Sequence, residues 1–157
     1  MPFGLTPELI ALSFQIVKSY NKRSGKVLID SSLNPLDIAK QLYHYPVPVL
    51  AHNSFLQNDP VFTYCNIAAQ KVFGYQWDEF IGLQSKLSAP TELQQQRKDF
   101  IDQQRTVGFS EAYEGIRVNK QGQLFQIKDT SLWTVDAEGQ PIGQAALLSK
   151  VIHDFKQ

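Results

Sequence analysis

The chain has 157 residues, 43% hydrophobic and 19% charged, which fits one globular domain with its own core and excludes wholesale disorder. Lys plus Arg and Asp plus Glu each number 15, so the formal charge is zero. With no basic run to concentrate a positive field, neither nucleic acid nor an anionic membrane surface is expected as a partner. A single cysteine, Cys65, excludes an internal disulfide and a cysteine-rich metal site. The start, Met1-Pro2-Phe3-Gly4, lacks the basic and apolar regions of a secretory leader, and no apolar stretch approaches membrane-spanning length, so the expected location is cytoplasmic.

Thr6-Pro7-Glu8 predicts a helix start: Thr6 caps, Pro7 suits the first turn and Glu8 the positive end of the dipole. Leu9, Leu12, Ile16 and Tyr20 then share one stripe, widened by Ile10, Phe14 and Val17. A stripe this broad must pack on the domain or on a second copy, which makes Leu9, Leu12, Phe14, Ile16 and Tyr20 a candidate interaction surface. Gly25 closes the region, and Asn34-Pro35 caps a short helix over 36–43. Residues 49–55 and 61–66 read as short strands joined by a turn at Gln57-Asn58-Asp59-Pro60. Short helices follow to Gly74 and Gly82, and Pro90-Thr91-Glu92 opens what reads as the longest helix, polar on its outer face and ended by Gly108. Residues 110–118, 124–135 and 141–152 read as a three-stranded meander turning at 119–122 and 136–139.

This order is that of a PAS domain, and local residues support the likeness. The run Asp59 to Ala69, with Phe73-Gly74-Tyr75 and Glu79-Phe80-Ile81-Gly82 after it, resembles the PAS signature of a strand ending in Asn, an Ala-rich helix and a Phe-Gly-Tyr turn. A closer resemblance is to the MEKHLA domain. It lies in His52-Asn53, Trp77, Ser88-Ala89-Pro90, Arg97, Tyr113 to Val118, Phe125 to Asp129, Trp133, Gly139 and Gly143-Gln144-Ala145-Ala146, across roughly residues 35 to 150. The resemblance implies an α+β fold: a PAS-like antiparallel five-stranded sheet with short helices on one face and an N-terminal helical extension. Residues 1–34 are then the extension and 35–157 the MEKHLA/PAS-like domain. Plant relatives of this family are homeodomain-leucine-zipper regulators; the chain has neither element, so their transcription-factor role does not carry over.

Cofactor types of the wider PAS group supply tests. Flavin photosensors carry a reactive Cys in an Asn-Cys-Arg-Phe run on a helix, whereas Cys65 precedes Asn66 at a strand end. Haem types carry a His on the long helix, and 90–108 has none. Flavin and haem are therefore disfavoured and no cofactor is expected. His44, His52 and His153 are too scattered to read as a metal set. No nucleophile elbow, phosphate loop or zinc-protease helix is present, so no catalytic residue is assigned.

If Lys120-Gln121 and Ala137-Glu138 centre the hairpins, strand parity gathers Ala112, Glu114, Ile116, Phe125, Ile127, Asp129, Ser131, Trp133, Val135, Ile142, Gln144, Ala146 and Leu148 on an inward face. Tyr113, Arg117, Gln126, Lys128, Thr130 and Thr134 fall opposite. Ser131 then faces Gln144 across the ladder, and Asp129 faces Ala112 and Ala146. Buried polar groups must be satisfied, and two readings stand side by side. In one, Glu114, Asp129, Ser131, Trp133 and Gln144 line a ligand pocket walled by Phe62, Tyr64, Phe73 and Trp77. In the other, these groups bond to loops, helix ends or one another and serve the fold. Arg97, on the polar helix, reads as an ion-paired or solvated residue.

Three functions follow in order. The first is a sensory or regulatory module binding a small ligand in a pocket of a few hundred cubic ångströms and acting through protein contacts. The second is a ligand-free interaction module that forms a homodimer or docks a regulatory protein. The last is a small enzyme built around Asp129 or Glu114.

Overall fold

Side-chain caps begin the helices where the sequence places them. The computed structural model describes residues 4–56 and 58–154. Helix α1 (Pro7–Ser24) starts where Thr6 Oγ1 accepts from the Leu9 N–H at 3.2 Å, and α2 (Pro35–Tyr43) where Asn34 Oδ1 accepts from the Asp37 N–H at 2.9 Å. Strands β1 (Val49–His52) and β2 (Phe62–Cys65) follow, then α3 (Ile67–Phe73) and α4 (Trp77–Phe80). The turn expected between β1 and β2 includes Gln57, which lies outside the described residues. Helix α5 (Gln94–Val107) opens with a 3-10 turn at Thr91–Leu93, and at 14 residues it is shorter than the 18-residue α1, which is the longest helix among the described residues. Strands β3 (Phe109–Val118), β4 (Leu124–Ala137) and β5 (Gln140–Ile152) complete an antiparallel sheet of order β2-β1-β5-β4-β3.

Asn66 ties the β1–β2 edge of this sheet to α3. Its buried Oδ1 accepts from the Ala69 N–H (3.0 Å), capping α3, and from the Val49 N–H (2.9 Å) at the start of β1. Its Nδ2 donates to the Val47 carbonyl (2.9 Å), and its own N–H donates to the Val49 carbonyl (3.0 Å). One carboxamide thus satisfies main-chain groups of three segments that would otherwise be buried and unpaired. At the other end of β1, a Cβ on Gly143 would lie 2.1 Å from the His52 carbonyl oxygen. Only glycine lets β5 come this close, and the approach sets His52 opposite Gln144.

Two irregularities decide which side chains face which side of the sheet. The β4–β5 register shifts between Val135 and Asp136, so Gln144 lies opposite Thr134 and Ser131 opposite Leu147. At Asp129 the backbone enters the left-handed region (φ 50°), and this exposed residue drops out of a ladder in which Lys128 pairs with Lys150 and Thr130 with Leu148. As a result Ile127, Thr130 and Leu132 share the face under α3 and α5, while Trp133 points to the opposite face, against α1. The inward face expected from uninterrupted alternation is therefore corrected: its members are divided between two sides. β3 is also irregular, with register slips on both sides of Tyr113.

The apolar stripe of α1 covers that second face. Trp133 Nε1 donates to the Ile16 carbonyl (3.0 Å), and its ring meets Tyr20 edge-on at 4.9 Å, an arrangement contributing about 1 kcal/mol beyond the area it buries. The Asp136 N–H donates to Ser19 Oγ (2.9 Å), and Arg23 grips the Asp136 carboxylate at 2.9 Å. Ile16, Val17 and Tyr20 are buried, and Leu9, Leu12 and Phe14 are half-buried against the same core. The surface expected to meet a partner is thus occupied largely by the chain's own sheet, because Trp133 lies on the face that needs covering.

Asn66→Ala leaves the Val49 and Ala69 amides and the Val47 carbonyl without their partners. It is expected to destabilise the domain by about 3 kcal/mol, read as a lower urea midpoint at unchanged slope. A loss under about 1 kcal/mol would show that water replaces the carboxamide.

Candidate functional site

A cavity of about 60 Å³ lies between the sheet and the inner face of α5. Cross-strand rows form its floor. His52, Gln144 and Thr134 make one row across β1, β5 and β4, and Leu50, Ala146 and Leu132 make the next. Further along, Tyr113 and Thr130 pair, and Arg117 pairs with Phe125. The roof comes from α5, where Arg97, Phe100, Ile101 and Gln104 recur at the three- and four-residue spacing of a single helix face. Phe62 and Phe73 close one wall. The roof is tied down by Gln144 Nε2 donating to the Ile101 carbonyl (3.2 Å) and by Arg105 donating to the Ser54 carbonyl. Grooves of about 250 Å³ and about 620 Å³ flank α5, and Arg97 borders both as well as the cavity.

The lining is apolar apart from a few polar groups, and several of these lack partners among the described residues. His52 Nδ1, Arg97 Nε and Gln104 Oε1 are enclosed with no hydrogen bond, as is Thr134 Oγ1 beside them in the row of His52 and Gln144. Gln144 is satisfied: its Oε1 accepts from Ser54 Oγ (2.9 Å). Arg117 donates to the Ile116 carbonyl (2.9 Å) and to Tyr113 Oη (3.0 Å), and its guanidinium lies 5.4 Å from the Tyr113 ring centre. Tyr113 in turn stacks on Phe100 of α5 at 4.3 Å. Burial, reinforced by the charges of Arg97, Arg105 and Arg117, pushes the His52 pKa from 6.5 down to about 3, so its imidazole is neutral. Burial and the nearby Arg117 also bring Arg97 down to about 9, which leaves it charged at neutral pH. Burial pushes the Cys65 thiol up to about 12, far from the reactive thiolate range.

The residues singled out in the sequence divide clearly. Phe62, Phe73 and Gln144 line the cavity. Tyr64 and Trp77 are buried but meet each other edge-on at 5.9 Å beside Tyr43, outside the cavity wall. Ser131 and Trp133 lie on the α1 side, and Glu114 and Asp129 are exposed. The positive φ at Asp129 and the register shift at Asp136 account for Asp129, Ser131 and Trp133; the slips flanking Tyr113 account for Glu114, and the β1–β2 shift between Ala51 and His52 turns Tyr64 to the side opposite Phe62. Sequence reasoning missed His52, Arg97, Gln104 and Arg117. Helical spacing contained the signal for Arg97 and Gln104, which flank the apolar pair Phe100 and Ile101 by three or four residues on one face. Among the described residues, no group of His, Cys, Asp or Glu is placed to hold a metal, and no helix is long and apolar enough to cross a membrane.

A neutral buried His52 carries a pH signature. Below pH 6.5 the unfolded chain takes up a proton that the folded state refuses until about pH 3, so stability falls as pH drops through that window. From pH 7 to pH 5 the expected loss is about 2 kcal/mol in urea titrations, and His52→Gln should remove it. Parallel pH profiles for the two proteins would refute the assignment.

The MEKHLA domain profile matches residues 10–152. Comparison with curated proteins gives no match. Among solved structures, the PAS domain of a protein from Colwellia psychrerythraea is similar with a TM-score of 0.62 at 13% identity, over 71% of this chain and 91% of that one. An RNA-binding light-oxygen-voltage receptor gives 0.63 at 16% identity, over 78% of this chain and 34% of the receptor. The PAS domain of a LuxR-family transcriptional regulator from Burkholderia thailandensis, solved in complex with ethanol, gives 0.54 at 17% identity over 69% of this chain and 92% of that one. At such identities the likeness is one of fold, and that fold is PAS-like. The profile match runs from within α1 to the last residue of β5, and the chain belongs to the MEKHLA domain family.

Proposed function

We propose that this domain is a sensory or regulatory module that takes a small ligand into the cavity beneath α5 and acts through contacts with another protein. The observation that carries this reading is the set of enclosed, unpartnered polar atoms, His52 Nδ1, Arg97 Nε and Gln104 Oε1, around an otherwise apolar space. Buried polar atoms without partners are destabilising, and a ligand offering complementary groups relieves them. The cavity is smaller than the space expected from the sequence. A ligand larger than a few water molecules therefore enters by shifting α5, whose grooves on either side leave room for such a movement. The similar PAS domain solved with ethanol is consistent with small-molecule entry into this fold.

A ligand-free docking module is less favoured. The exposed large apolar side chains Val27, Leu36, Leu56, Leu87 and Val107 lie in five different segments, and the stripe on α1 is engaged internally. An enzyme built on Asp129 or Glu114 is disfavoured because both carboxylates are exposed on the sheet, away from the cavity.

Native mass spectrometry of freshly purified protein, with a thermal-shift screen of small metabolites, tests the reading. A ligand at a hundred times its Kd stabilises by about 2.7 kcal/mol, which raises Tm by roughly 5–10 °C for a domain of this size. Ala146→Phe, which fills the cavity floor, is expected to fold and to abolish that shift. No bound mass and no stabilising compound would sink the proposal.

A further inference from the structure

We propose that the cavity recognises a carboxylate, with the Arg97 guanidinium of α5 and the Arg117 guanidinium of β3 holding the anionic head of a small ligand whose apolar body lies against Phe100, Leu132 and Leu148. This rests on the cavity being a ligand site. The cavity lining contains both arginines and neither an Asp nor a Glu. Arg97 is 7% exposed and forms no hydrogen bond or ion pair with any described residue. The chain pairs Arg23 with Asp136 at its surface, yet leaves this buried cation without a counter-charge. Removing a guanidinium from water without an opposing charge is strongly unfavourable, and the arrangement makes sense when the anion arrives from outside.

Geometry narrows the anion. Arg117 is already oriented: it donates to the Ile116 carbonyl and to Tyr113 Oη across Gly115. A Cβ on Gly115 would lie 2.8 Å from Tyr113 Oη and 2.9 Å from Arg117 Nη1, so glycine leaves room for that clasp. Arg97, in contrast, makes no hydrogen bond with a described residue and its Nε is enclosed, so its donor fork is free to meet the two coplanar oxygens of a carboxylate. The small volume and the apolar neighbours favour a monoanion with a hydrocarbon or aromatic body over a phosphate. Tyr113 stacks on Phe100 of α5, so neutralising the two cations acts directly on the contact between α5 and β3. Occupancy would in this way be passed to the outer surface of the helix.

Butyrate and benzoate, each paired with its amide (butyramide and benzamide), form the test, read by chemical shifts of the intact chain at neutral pH. The acids are expected to bind and the amides to bind about ten- to a hundredfold more weakly, the worth of a charge-assisted hydrogen-bond pair. Arg97→Met is expected to raise the Tm of the ligand-free protein, since it removes an uncompensated buried charge, and to reduce acid affinity to that of the amide. Arg117→Met should weaken the acid in the same direction. Acids and amides binding alike would overturn the carboxylate assignment and leave the cavity as a ligand site. Neither class binding the parent protein would overturn both. An Arg97→Met variant with lower Tm and unchanged acid affinity would also overturn the assignment. The acid–amide comparison uses the parent chain alone, so it stands whether or not the variants fold.

Discussion

The side chain of Asn66 lies where four stretches of chain converge: the segment before β1, the first residue of β1, the end of β2 and the first turn of α3. A buried amide has donors and acceptors in fixed directions, so it can be satisfied in only one arrangement of those segments. That arrangement places β1 beside β2, and Gly143 then lets β5 pair along its other edge with His52 opposite Gln144. The cavity floor takes its register from two features together, the Asn66 junction and the close approach at Gly143. Hydrophobic collapse alone would not specify it, because Val49, Leu50 and Ala51 are all buried and supply no alternation to choose between registers.

Local chemistry was readable in the sequence, and lateral chemistry was not. Thr6, Asn34 and Asn66 cap helices using bonds that span three residues, and the hairpin turns around Gly122 and Gly139 are equally local. The PAS-like order of elements followed from those signals. Strand faces depart from plain alternation because Asp129 sits at positive φ and the registers shift at Asp136, on both sides of Tyr113 and between Ala51 and His52. None of these leaves a sequence mark: Asp tolerates positive φ but is common elsewhere. The role of α1 was left open between packing at home and packing on a copy. What decides it is Trp133, more than a hundred residues away, whose indole N–H reaches the Ile16 carbonyl.

The two faces of the sheet are built to different standards. Under α1 the contacts are apolar and aromatic; Trp133 Nε1 and Ser19 Oγ have partners there, while Tyr64 Oη is buried without one. Under α5 the apolar floor meets a roof bearing a charged, unpartnered side chain, and polar bonds at the edges hold it. The buried charge without a counter-charge lies on the second face, whereas Arg23 at the edge of the first is paired with Asp136. That division is the expected one when a domain must stay folded while one wall yields to a ligand.

The slips in β3 have a consequence for how any partner can engage this domain. β3 is an open border of the sheet, where unpaired main-chain groups would ordinarily invite a foreign strand to add on. Its pairing with β4 is broken on either side of Tyr113, and Glu111 and Glu114 stand exposed along it. A border that is kinked and lined with charged side chains resists being extended into a larger sheet. At this edge, recognition would therefore rest on side chains such as Tyr113 and not on main-chain pairing.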